Sequence, residues 1–183
     1  MDKKNKIMKK FKVNINNEVF EYEENTSYFD IVTEHKKKAL LVKVNSKLQE
    51  LHKTLKSDVD LEFITLSDAI GRSTYERSAV LILLKSIKDI YGESIKPIVE
   101  FSTGNGLFIR MNGETEFDIE KIDSRMREIV DENIRIDKMN VHTDTAIKMF
   151  HNAGFFEKEK LFKFRRVSRV NIYKLEDFID YNY

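Results

Sequence analysis

The sequence predicts an α+β protein built in two parts, and three observations carry that prediction. Residues 10 to 65 read as strand, strand, helix, strand, short strand and strand, in segments whose apolar residues alternate with period two around one helical stretch. A long pattern of period 3.6 then begins near Ser73, and strand and helix patterns intermix to the end of the chain. With 183 residues, 41% hydrophobic and 34% charged, the chain can bury a core but is better sized for two small domains than for one large one.

In the first part, KFKVNIN and VFEYEE alternate around the turn residues Asn16 and Asn17 and predict a hairpin over residues 10 to 24. Thr26 or Ser27 can cap the helix that follows, with Phe29, Ile31 and Val32 as its inner face and the basic run His35 to Lys38 at its C-terminal end, where the dipole favours it. ALLVKVN is a strong strand, Asn45-Ser46-Lys47 a tight turn, LQELHKTL a short strand or helical turn, and VDLEFITL a closing strand. A helix packed across a small mixed sheet in this order suggests a β-grasp fold for residues 10 to 67. Ser67 to Ser73 is the expected boundary, although no Pro- or Gly-rich linker marks it.

In the second part, residues 73 to 183, Ser73-Thr74-Tyr75-Glu76 has the spacing of a capping box. The helix it would open carries Val80, Leu83, Leu84, Ile87, Ile90 and Tyr91 near one stripe, and Gly92 stops it. KPIVEFST and LFIRMNG predict a hairpin around Thr103-Gly104-Asn105-Gly106. Residues 118 to 134 predict a second long helix with Ile119, Ile122, Met126, Ile129 and Val130 inward. RIDKMNVH reads as a strand, TDTAIKMFHNAG as a short helix ended by Gly154, and SRVNIYKLEDFIDYNY as one or two closing strands.

Composition excludes several chemistries. The chain has no cysteine, which removes disulfides, thiolate nucleophiles and cysteine-containing zinc sites. Its four histidines do not form a metal pattern: His142 and His151 are nine apart, and His35 and His52 sit in charged surroundings that predict surface positions. The glycines are 71, 92, 104, 106, 113 and 154, and no two have the five-residue separation of a phosphate-binding GxxxxGK[ST] loop. The longest apolar run, Ala79 to Leu84, is too short to span a membrane, and MDKKNKIMKK has no apolar stretch behind its lysines, so a cytoplasmic protein is expected. Net charge is only +1, but six lysines lie in residues 1 to 12 and six Lys or Arg between Lys158 and Arg169.

Two resemblances emerge from these segments. FDIV, ALLVKVNSKLQELHKTL and LEFITL resemble a TGS domain, the β-grasp module of threonyl-tRNA synthetases and stringent-response synthetases. RSAVLILLKSIKDIYG, KPIVEFSTGNGLFIRM and DIEKIDSRMREIVDENIRIDKMNVHTDTAIKMF are similar to the second additional domain of threonyl- and alanyl-tRNA synthetases, the editing fold. DAIGRSTYERSA and FKFRRVSRVNIYKLEDFIDYNY make the pair look like the N-terminal half of bacterial uridine kinase-like nucleoside kinases. That resemblance implies a following P-loop kinase domain beyond residue 183 that uses ATP and magnesium, no cofactor within this region, and tRNA or another anionic ligand as a partner. It also leaves open a homo-oligomeric structural role.

An editing hydrolase of that family uses two histidines four apart on its first helix, then a cysteine and a further histidine, to position an attacking water. The resemblance puts Arg77 and Leu81 at the first two positions, Asn182 at or next to the cysteine, and the last histidine past Tyr183. Arginine is always protonated and leucine has no lone pair, so a degenerate, non-catalytic site follows, with Leu81 as one more core residue. Binding is the remaining expectation. Lys158, Lys160, Lys163, Arg165, Arg166 and Arg169 have Phe162 and Phe164 interleaved and could meet phosphates and bases, or be solvated cations beside core phenylalanines. Arg72, Arg77 and Arg110 are the further candidates, near the vacated cleft that the resemblance implies. The function expected is therefore a non-catalytic regulatory or RNA-binding region, with an aminoacyl-tRNA deacylase and a purely structural oligomerisation module as alternatives.

Overall fold

The computed structural model describes residues 9–103, 106–112 and 116–181. Two compact units divide at Glu76 and Arg77. Among the described residues no helix is long and apolar enough to cross a membrane.

The first unit is built on strands β1 (Lys10–Ile15) and β2 (Glu18–Glu23), helix α1 (Tyr28–Glu34), and strands β3 (Ala39–Val44), β4 (Lys47–Glu50) and β5 (Val59–Thr65). The sheet order is β2-β1-β5-β3-β4, with β1 and β5 parallel at its centre and every other neighbour antiparallel. This is the β-grasp arrangement that the element order predicts. Both hairpin turns are two residues long with left-handed backbones, Asn16 and Asn17 at φ 52° and 69° and Asn45 and Ser46 at 45° and 69°, which matches the twist of the flanking strands. Ser27 caps α1, its Oγ accepting from Asp30 N–H at 3.1 Å. Tyr28, Ile31 and Val32 meet Val13, Val42 and Leu55 in the core. Phe29, expected inside, is 58% exposed, because the one buried face of this short helix is set by its neighbour Tyr28. His35 is a second correction: it is half-buried, in hydrogen-bond contact with Tyr22 Oη at 3.0 Å and edge-on to Phe20 with ring centres 4.6 Å apart.

Helix α2 runs from Ala69 to Tyr91, so Ser73 to Glu76 lie inside it and do not cap it. The start is set by Asp68, whose carbonyl accepts from Arg72 N–H at 2.9 Å while its carboxylate accepts from Thr65 N–H at 2.7 Å. That backbone donor, helped by the Thr65 hydroxyl, holds the Asp68 carboxyl below the usual range. Gly71, a poor helix former, is needed here, since a Cβ on it would lie 1.8 Å from the Thr65 carbonyl oxygen.

The second unit takes the rest of α2, a 3-10 turn at Gly92–Ser94, strands β6 (Lys96–Thr103) and β7 (Gly106–Asn112), and helix α3 (Ile119–Asp131). Strand β8 (Asp137–His142), helices α4 (Thr143–Asn152) and α5 (Phe156–Phe164), and strands β9 (Arg169–Leu175) and β10 (Phe178–Tyr181) complete it. β6 and β7 form a two-stranded antiparallel sheet, and β10-β9-β8 a three-stranded antiparallel one. The turn expected at Gly104-Asn105 lies outside the described residues. Gly92 and Gly154 close α2 and α4 with φ 70° and 74°.

Asp118 caps α3, and Ile122, Met126 and Ile129 face inward; Ile119 and Val130, expected with them, are 68% and 58% exposed. The helical stripe is narrower than the apolar residues suggest. Helix α5 lies where the sequence predicts no helix. Its Phe162 is 1% exposed and stacks on Phe150 of α4 at 5.3 Å, with the Tyr181 ring edge-on at 4.9 Å. Phe164, two residues on, is 85% exposed.

Replacing Gly71 with Ala should destabilise the chain by about 2 kcal/mol, because the obstacle is backbone and cannot rotate away. Urea unfolding checks this, and an unchanged or raised midpoint would contradict the close approach.

Candidate functional site

The buried stripe of α2 contains a charge. Leu81, Leu84 and Ile87 are core residues at helical spacing, and Lys85, between them, is only 4% exposed. An ammonium has three N–H donors, and each must find an acceptor when it is taken out of water. Here three carboxylates converge on Lys85 Nζ: Asp89 Oδ1 one turn on at 2.5 Å, Asp177 Oδ1 at 2.9 Å and Glu176 Oε2 at 3.2 Å. Burial alone would push the Lys85 ammonium down; the hydrogen bonds it donates to Asp89, Asp177 and Glu176 outweigh it and hold the group above its ordinary value. The same contact with Lys85 is the main reason that the Asp177 carboxyl lies below the usual range.

The network extends on both sides. Asp89 also accepts two bonds from Arg125 of α3, at 3.1 Å from Nε and 3.0 Å from Nη2. Lys88 lies 3.1 Å from Glu93 and 3.6 Å from Asp177. The two-residue turn Glu176-Asp177 between β9 and β10 supplies the far carboxylates, and Glu176 holds a left-handed φ of 54° to do so. Near it, Lys158 of α5 donates to Asp180 at 2.6 Å, and the same Asp180 oxygen accepts Tyr181 N–H at 2.7 Å. Asp180 is 8% exposed, and Lys158 lies over the Phe155 ring at 4.7 Å.

This ionic frame borders a groove of about 790 Å³ whose charged lining is Lys88, Lys174, Glu93 and Asp177, with Met149 and Ile179 among its apolar surfaces. A smaller cavity of about 40 Å³ shares Lys88 and Glu93 and is closed by Leu84, Phe178 and Lys158. No histidine lines either space among the described residues. His151 instead contacts Glu159 at 3.0 Å through Nδ1, and His142 is exposed at the start of α4. The described residues contain no group of three or more His, Asp or Glu able to hold a metal ion. Three of its four charges, Lys88, Glu93 and Asp177, are paired with one another, so a molecule with a cationic and an anionic end would bind there by exchanging with these pairs. Lys85, saturated by carboxylates and held protonated, is unable to take up a proton there.

The residues singled out in the sequence are placed apart. Leu81 is 4% exposed in the core with Leu84, Ile129, Leu175 and Phe178, as its core reading expects. Arg77 is on an exposed part of α2, and Asn182 lies outside the described residues. Arg72 belongs to the first unit and donates to the Leu66 and Ser67 carbonyls at 3.3 and 2.9 Å. Arg110 on β7 reaches Glu100 at 2.5 Å, and Lys163 reaches Glu159 at 2.5 Å. Arg165 lies over the Phe162 and Tyr181 rings at 5.1 and 5.4 Å, and Arg166 is exposed. None of these cations lines the groove. The sequence reading does not single out Lys85, although Lys85 and Asp89 form an i,i+4 pair on the apolar stripe, the one sign that a sequence can show of a buried cation.

Lys85→Met should cost about 1 kcal/mol, because three partly exposed carboxylates lose a common partner while Asp89 keeps Arg125 and Asp177 keeps Lys88. The folded state depresses the Asp177 pKa, so this contribution is present above the unfolded carboxylate value near about 4 and is lost as pH falls through the lower folded value. Denaturation at a series of pH values should therefore show the gap between wild type and variant closing below about pH 4. A gap independent of pH would contradict the assignment.

No protein-family model matches the chain. Its sequence is similar to the threonine–tRNA ligase of Clostridium tetani, 31% identical over 170 residues that cover 88% of this chain and 26% of the ligase. The threonine–tRNA ligase of Thermotoga petrophila is 31% identical over 149 residues, 79% of this chain and 23% of the ligase. That of Syntrophotalea carbinolica is 28% identical over 148 residues, again 79% and 23%. The chain spans about a quarter of the length of the curated relatives it matches. By sequence, the chain is similar to about a quarter of the length of these threonine–tRNA ligases.

Proposed function

We propose that this region is a tRNA-binding module, a TGS domain followed by an editing-type domain whose groove receives an aminoacyl end without hydrolysing it. The observation that carries the reading is the groove beside Lys85. It sets Lys174 beside the Lys88–Glu93 and Lys88–Asp177 pairs in about 790 Å³, within the range of ligand sites, and a zwitterionic ligand exchanges with those pairs. An aminoacyl ester of a nucleotide has an α-ammonium at one end and phosphate at the other; the carboxylates suit the first and the lysines the second. Similarity to threonine–tRNA ligases across both units supports tRNA as the carrier.

The same similarity favours a second reading, an aminoacyl-tRNA deacylase of the threonyl-editing type. Hydrolysis needs a group that accepts a proton from water. At the two family positions read from the sequence stand Arg77 and Leu81, and the buried lysine between the core residues is held as a cation. A nucleoside kinase domain following this region, with its ATP and magnesium, is a separate proposal that the sequence after Tyr183 decides. A structural oligomerisation role is decided by sedimentation of the chain.

Mischarged threonine tRNA should bind saturably, and its amino acid should be released no faster than without protein. Lys88→Ala should weaken binding about fivefold, the loss of one charge-assisted contact. Release above the control rate would establish the deacylase instead, and absence of saturable binding would remove both readings.

A further inference from the structure

The C-terminal end of α5 presents a surface that the groove does not use. Phe164 is 85% exposed, and Leu161, three residues before it and hence on the same side of the helix, is 41% exposed. Around this ring the cations differ in how they are neutralised. Lys158, Lys160 and Lys163 each meet a carboxylate, Asp180, Glu157 and Glu159. Among the described residues Arg165, Arg166 and Arg169 meet none: Arg165 lies over two rings, Arg169 bonds the neutral Asn140 side chain and carbonyl, and Arg166 is exposed. Three arginines without a carboxylate therefore stand within five residues of an almost fully exposed phenylalanine.

Compensation of the helix dipole accounts for positive charge at this end of α5. It leaves Phe164 unexplained, since the neighbouring Phe162 already fills the core place that α5 offers. An exposed ring amid uncompensated arginines has the two elements of single-strand nucleic-acid binding, a flat face on which any base stacks and cations that meet phosphates. An unpaired base offers such a face, whereas stacked duplex bases do not.

We infer that Phe164, Arg165, Arg166 and Arg169 form a contact surface for single-stranded RNA, distinct from the groove. The inference extends the tRNA-binding reading and fails separately from it.

The test is fluorescence anisotropy with the full 183-residue chain, using a labelled single-stranded RNA of about 12 nucleotides, within the usual site size. A blunt RNA duplex of the same length and a tRNA transcript serve for comparison. Phe164→Ala should weaken single-strand binding about tenfold and Phe164→Tyr should retain it. Arg166→Ala should lower the slope of log K against log salt by about 0.7. Both positions are exposed, and unchanged thermal unfolding confirms intact folding. Equal affinity of Phe164→Ala and wild type, or duplex binding as tight as single-strand binding, overturns the inference. So does self-association of wild type that Phe164→Ala abolishes, which would make the surface a contact between copies. If tRNA binding depends on Lys88 and not on Phe164, the groove reading survives and this one falls; the reverse pattern removes the groove reading and leaves the surface.

Discussion

The second unit depends on how one ammonium group is held out of water. Lys85 sits on the face of α2 that meets the core, and the β9–β10 turn answers it with Glu176 and Asp177. A buried cation of this kind is costly unless every donor is met, so removal of the carboxylates would leave Lys85 uncompensated. The turn accepts a left-handed backbone at Glu176, a conformation that costs a side-chain-bearing residue about 1 kcal/mol. The charge contacts offset that cost. Because Asp89 is shared with Arg125 and Asp177 with Lys88, the same ionic line runs from α3 through α2 to the edge of the groove.

Much of the fold is legible from local chemistry. Alternation and paired left-handed turn residues specify the β1–β2 and β3–β4 hairpins, and Ser27 and Asp118 announce the helices they cap. What fails has identifiable causes. The capping-box pattern at Ser73 is mimicry inside a helix, since the true start depends on Asp68 folding back on Thr65 and on Gly71 clearing a carbonyl. α5 is hidden because it has no side-chain cap and buries only Phe162 along its length, so its charges and rings read as a basic run.

The site is less legible than the fold, for a physical reason. Residue type and position in a resembling family single out candidate cations, yet a cation's role depends on which acceptors reach it. Arg72, Arg110 and Lys163 are engaged locally, by carbonyls or by a single carboxylate. Lys85, not among the candidates, is where three carboxylates meet, and two of those come from residues some ninety positions away in the chain. Such convergence is a property of tertiary structure. Leu81 shows the complement: its burial needs no partner, and the apolar stripe alone indicates it.

Helix α2 carries its buried cation and core leucines as structure, and through Lys88 and Asp177 it shapes the charged edge of the groove. That account rests on the protonation state of one side chain. The most direct measurement is an NMR titration of the side-chain nitrogens of ¹⁵N-lysine-labelled protein. The account requires Lys85 Nζ to remain protonated above 10.5, the ordinary lysine value. Titration of Lys85 below that value would make it an available base and would contradict the account.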